Sequence, residues 1–100
     1  MRNPDFEKIL EEWKELHNRK NSDYANSNDP YYNLRACEDM GIPAWKGVLV
    51  RMTDKMSRLK NLARDPSAAK NEPMEDTFDD IGIYAALGKA LYKQWKNDLP

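Results

Sequence analysis

The sequence predicts an all-α fold: a compact bundle of about four helices formed by a single domain, residues 1–100. In the longer segments, apolar residues recur at intervals of three and four, which is the period of an α-helix. No segment alternates apolar and polar residues with the period of a strand. Prolines, a glycine and clusters of turn-forming residues separate the helical segments, and an all-α bundle follows.

The first two helices have clear start signals. Asn3 followed by proline supplies an N-cap and a first-turn residue, and the apolar periodicity then predicts a helix from Pro4 to about Asn21. Asp29 followed by proline repeats this signal after a turn-forming cluster, and Gly41 provides a stop. A short second helix is therefore predicted over about Pro30 to Met40.

The third and fourth helices are longer and follow two further chain breaks. The third runs from Pro43 or Ala44 to about Ala63, and its apolar stripe consists of Val48, Met52, Met56, Leu59 and Ala63. After the polar stretch RDPSAAKNEP, the fourth begins near Pro73 and ends at about Lys96. On a helical wheel, its apolar face holds Phe78, Ile81, Tyr84, Ala85, Gly88, Tyr92 and Trp95.

Composition excludes several classes of partner. The chain has 16 basic and 17 acidic residues, so no basic excess is present to displace counterions from duplex nucleic acid. No stretch is long and apolar enough for a membrane span, and the N-terminus lacks the apolar core of a signal peptide. We expect a cytoplasmic protein with no membrane partner. Its many aromatic residues would leave apolar surface uncovered in a monomer, so we also expect a homo-oligomer.

Two carboxylates stand close together at the start of the fourth helix. Asp76 and Asp80 are one turn apart at the edge of the apolar face, where another helix would pack beside them. They repel each other and need a cation, which is either a basic side chain or a metal ion. Glu75 and Asp79 fall on the opposite, solvent side of the same helix.

The third helix carries a narrow strip of charged residues beside its apolar stripe: Arg51, Asp54, Lys55 and Arg58. One interpretation is a solvated face with an i,i+4 pair between Asp54 and Arg58. The other is that packing brings Asp54 towards the two aspartates of the fourth helix. Three carboxylates suit Mg²⁺ or Mn²⁺, which take phosphate oxygens as further ligands. The basic side chains of the strip would bind the same phosphates.

A third group of polar residues lies at the end of the first helix: His17, Lys20, Asp23 and Tyr24. They could contact a ligand, with the tyrosine stacking on a base. His17 could equally be an imidazolium that interacts favourably with a helix C-terminus. Lys20 and Asp23 could equally pair with each other, and Tyr24 could simply cover the core.

Three motifs in this order resemble a known family. They are K-x-x-D-Y at Lys20, R-x-x-D-K-x-x-R-L at Arg51 and D-T-x-x-D-x-x-x-Y at Asp76. Together they resemble the phage and bacterial proteins called nucleotide modification associated domains, which are grouped with MazG-like all-α NTP pyrophosphatases. The resemblance covers about Glu15 to Tyr92.

The resemblance implies a helical, often oligomeric protein whose acidic residues bind Mg²⁺. Its wider superfamily hydrolyses nucleoside triphosphates to monophosphate and pyrophosphate. The cluster of carboxylates beside basic residues then predicts Asp54, Asp76 and Asp80 as catalytic and metal-binding residues. The substrate contacts would be His17, Lys20, Asp23, Tyr24, Arg51, Lys55 and Arg58.

Two departures from the superfamily pattern favour an alternative, a non-catalytic module that binds or sequesters a nucleotide. The EExxE string occurs only on the first helix, and Thr77 occupies the glutamate position of ExxD. A third interpretation is a purely structural helical interaction protein.

Overall fold

The computed structural model describes residues 1–22, 28–65, 67 and 73–100, and every regular element in these ranges is helical. The α-helices are α1 (Pro4–Ser22), α2 (Ala44–Ala63) and α3 (Pro73–Asn97), and two short 3-10 helices cover Tyr32–Leu34 and Ala36–Met40. This confirms the all-α prediction. The long helices begin and end within one residue of their predicted bounds.

The chain divides into two compact units, residues 1–33 and residues 34–100. The first unit contains α1. Its predicted N-cap is present, since the backbone N–H of Phe6 donates to Oδ1 of Asn3 at 3.1 Å. Arg2 adds an ion pair with Glu7 at 2.8 Å across the first turn. The assignment of residues 1–100 to one domain stays a prediction.

The short helix predicted over Pro30 to Met40 is present only as two separate 3-10 helices. The side chain of Asp29 accepts the backbone N–H of Tyr31 at 2.9 Å, which makes a local turn around a proline. Two 3-10 helices follow in place of one α-helix. Gly41 does end the segment as predicted, with φ of 79°, a left-handed conformation that glycine adopts without strain.

The second unit is built on α2 and α3. These helices are antiparallel, since Trp45 near the start of α2 contacts Tyr92 near the end of α3 while Lys55 pairs with Asp80. Their contact is close at Gly88, where a Cβ would lie 3.1 Å from Cγ1 of Val48. The absence of a side chain there lets the two backbones approach each other.

The core of this unit is small. Among the described residues, the buried apolar side chains are Leu34, Ala44, Val48 and Leu91. Thr77 is also buried, and its hydroxyl donates to the carbonyl oxygen of Pro73 at 2.5 Å. The buried hydroxyl is therefore satisfied within its own helix, by the carbonyl four residues earlier.

The apolar face predicted for α3 is only partly covered. Phe78 is 55% exposed and Tyr92 is 42% exposed, whereas Thr77 and Leu91 are the buried positions. The centre of the contact with α2 therefore lies to one side of the predicted stripe. Of the two residues placed on the solvent side, Glu75 is exposed but Asp79 is half-buried. Of the helices in the described ranges, none has the length and hydropathy to cross a membrane.

Candidate functional site

An open groove of about 610 Å³ runs along the charged side of α2 and past its end. Its lining residues recur at helical spacing: Asp54, Lys55, Arg58, Asn61, Leu62 and Asp65. They lie on one face because side chains three and four positions apart on a helix are neighbours. The groove thus combines two cations, two carboxylates, one amide and one apolar side chain.

Lys55 connects this groove to α3. Its Nζ lies 2.9 Å from Oδ2 of Asp80, and the two side chains are 34% and 26% exposed. An ion pair this accessible to water contributes only about 0–1 kcal/mol to stability, because solvent screens it. The sequence left open whether a basic side chain or a metal ion lies beside Asp80. In the structure, the ammonium of Lys55 lies there.

The three predicted metal ligands are not assembled into one site. Asp54 lies in the groove and is exposed, Asp76 is exposed on the first turn of α3, and Asp80 pairs with Lys55. Across the ranges that the structure describes, no three His, Cys, Asp or Glu side chains form a group that could hold a metal ion. The Mg²⁺ site expected from the sequence stays a prediction.

Asp65 ends the groove just beyond α2. Its Oδ1 accepts the hydroxyl of Ser67 at 2.8 Å and the backbone N–H of the same residue at 3.0 Å. These two hydrogen bonds stabilise the carboxylate, the hydroxyl contributing more, and they hold the pKa of Asp65 below its usual value of 3.8. Asp65 therefore stays ionised over the range in which proteins normally work.

The other predicted contacts fall in several places. Arg51 is exposed on α2, and Lys20 is exposed near the end of α1 in the first unit. His17 is half-buried there, with its Nε2 3.0 Å from Nδ2 of Asn21. The same amide nitrogen donates to the carbonyl oxygen of Pro30 at 3.3 Å. Asp23 and Tyr24 lie outside the described residues.

Sequence reasoning missed three of the groove residues, namely Asn61, Leu62 and Asp65. Their positions continue the spacing of Asp54 and Arg58 along the same face, so extending that strip past its last charged residue would have found them. Asp65 falls beyond the helix end, and only the chain path after Ala63 brings it to the groove.

Comparison with known proteins adds no identification. Neither the family models nor the curated proteins nor the solved structures that were compared contain a match to this chain.

Proposed function

We propose that this protein binds a phosphorylated nucleotide in the groove along α2, with Lys55 and Arg58 contacting its phosphates. The observation that carries the proposal is that both cations line one open groove. Residues three apart on a helix have Cβ atoms about 5–6 Å apart, so a single ligand can contact both side chains. Guanidinium and ammonium groups form the strongest protein hydrogen bonds to phosphate oxygens.

The remaining groove residues suit the rest of a nucleotide. A volume of about 610 Å³ falls within the range of small-molecule sites. Leu62 offers an apolar contact for a base, and Asn61 can both donate to and accept from a base edge or a sugar hydroxyl. One of the three sequence motifs contains Asp54, Lys55 and Arg58 of the groove. Together the three motifs resemble a family of nucleotide-acting proteins, which also supports a nucleotide as the ligand.

Calorimetry with a panel of ribo- and deoxyribonucleoside triphosphates, in EDTA to remove metal ions, tests the proposal. Arg58→Ala removes charged hydrogen bonds of roughly 1.5–3 kcal/mol, so we expect at least a tenfold weaker affinity. Lys60→Ala is the matched control, because Lys60 is exposed on the same helix and outside the groove lining. Equal affinities for the two variants, or no nucleotide binding by the unaltered chain, would overturn the proposal.

A second candidate function is Mg²⁺- or Mn²⁺-dependent hydrolysis of the bound triphosphate to monophosphate and pyrophosphate. Two carboxylates, Asp54 and Asp65, share the groove with the phosphate-binding cations, and this observation favours it. A bound divalent cation would neutralise phosphate charge and lower the pKa of an attacking water. Asp80 would bind such an ion through its other carboxylate oxygen, since Oδ2 is paired with Lys55.

Product analysis separates the two candidates. The chain is incubated with each triphosphate and with Mg²⁺ or Mn²⁺, and the products are resolved by ion-exchange chromatography. Hydrolysis predicts stoichiometric monophosphate and pyrophosphate, lost on addition of EDTA and strongly reduced in Asp54→Asn. Asp98→Asn, an exposed change of the same kind beyond α3, should retain full activity. Binding without any monophosphate would leave the chain as a nucleotide-binding module.

A further inference from the structure

The ion pair of Lys55 with Asp80 places a carboxylate beside one of the two cations of the groove. Lys55 belongs to the groove lining, whereas Asp80 comes from the neighbouring helix α3. With 2.9 Å between Nζ and Oδ2, the ammonium is directly hydrogen-bonded to a negative charge before any ligand arrives.

An anionic ligand meets this carboxylate in one of two ways. A phosphate that bonds to Lys55 either displaces Asp80 or shares the ammonium with it, and sharing brings two like charges close together. The Coulomb repulsion between charges at such separations is appreciable in the partly screened environment of a protein surface. Both routes lower the affinity of the groove for an anion.

The pair is suited to exchange of partners. Both side chains are about one-quarter to one-third exposed, so water can solvate Asp80 when it releases Lys55. Solvent-exposed pairs of this kind contribute little to the stability of a fold. Losing the contact therefore does not require α2 and α3 to separate.

We infer that Asp80 competes with the ligand for Lys55 and so sets the affinity of the groove for phosphates. This inference rests on the proposed function, because it concerns the same groove. Asp80 acts through Lys55 and is a positioning residue in the ligand-free state. Its carboxylate holds the ammonium until a more highly charged group replaces it.

The test measures the affinity for inorganic pyrophosphate by calorimetry in EDTA. Asp80→Asn keeps the size of the side chain and removes its charge, so we expect binding roughly three- to tenfold tighter than that of the unaltered chain. Glu75→Gln makes the same change in net charge on the exposed side of α3 and should alter the affinity by less than about twofold, because distant exposed charges are screened. Circular dichroism verifies folding, and Asp80→Ala provides a second variant.

A double substitution isolates the mechanism. In a Lys55→Gln background, Asp80→Asn should no longer tighten pyrophosphate binding, since no ammonium remains to be released. If Asp80→Asn binds no tighter while Arg58→Ala still weakens nucleotide binding, the inference is overturned and the proposed function stands. If no variant binds pyrophosphate or any nucleotide, the proposed function fails and the inference fails with it.

Discussion

At the scale of single residues, Asp65 shows how a local turn controls the charge of a groove side chain. Two donors of Ser67 hold the pKa of this carboxylate below 3.8. The stability that these bonds contribute is present above pH 3.8, where Asp65 is ionised in the folded and the unfolded chain. It is lost as the pH falls below 3.8 and through the folded-state pKa.

Ser67→Ala removes the stronger donor and leaves the backbone N–H. We expect the pKa of Asp65 to rise towards 3.8, which a ¹³C NMR titration of its carboxyl carbon measures directly. Ser57→Ala, an exposed serine-to-alanine change within α2, should leave that titration curve unchanged. An unaltered Asp65 curve in Ser67→Ala would show that the hydroxyl does not stabilise the carboxylate.

Asp80 shows what the sequence could and could not predict about single residues. Its position at the edge of a helix contact and its need for a cation follow from helical spacing, and the pairing confirms both. Which side chain of α2 lies opposite Asp80 depends on the axial register of the two helices, and helical periodicity does not determine that register. The pairing with Lys55 could therefore not be predicted from the sequence. The spacing of Lys55 and Arg58, by contrast, already placed them on one face.

At the scale of elements, the start of α2 packs closely on the 3-10 helix Ala36–Met40. A Cβ at Gly47 would lie 2.7 Å from Sγ of Cys37, closer than real Cβ contacts allow. That sulfur also lies 3.8 Å from the carbonyl oxygen of Leu34 and 3.9 Å from that of Pro43. Moving it aside would disturb both weak contacts.

Gly47→Ala therefore sets two effects against each other. Alanine improves helix propensity by about 1 kcal/mol, but overpacking costs about 1–3 kcal/mol, so we expect a net loss of stability. In a Cys37→Ala background the obstructing sulfur is gone, and the same substitution should become stabilising by up to about 1 kcal/mol. Urea denaturation of the four chains measures this change of sign. The same effect in both backgrounds would contradict the close contact.

The helices also differ in how well their bounds, their type and their buried face could be predicted. Capping residues and helix-breaking residues predicted the bounds of α1, α2 and α3 to within one residue, because these signals act locally. The segment after Asp29 forms two 3-10 helices, and nothing in its spacing distinguishes these from an α-helix. Phe78 and Tyr92 are exposed because α2 packs on the side of α3 that carries Gly88, Thr77 and Leu91, and periodicity alone does not identify that side.

At the scale of the whole molecule, the second unit leaves one apolar side open. On α2, Trp45, Leu49 and Met56 follow the three-and-four spacing of a helix seam, and Leu49 is 50% exposed. On α3, Phe78 and Tyr92 lie on a stripe of the same spacing, and the contact of Trp45 with Tyr92 places the two stripes on one side. The charged groove uses other positions of α2.

We expect a second copy of the chain to cover this side. Helices of 20 and 25 residues lying about 10 Å apart present a face of roughly 600 Å² per copy, or about 1,200 Å² in total, the lower end of specific interfaces. Sedimentation equilibrium should then give twice the chain mass of 11.7 kDa.

Leu49→Lys should weaken the dimer by at least about tenfold, since a charge would be buried. Val50→Lys alters an exposed apolar neighbour outside the stripe and should leave the dimer intact. A monomeric unaltered chain, or equal dissociation of the two variants, would show that a second copy does not cover this side.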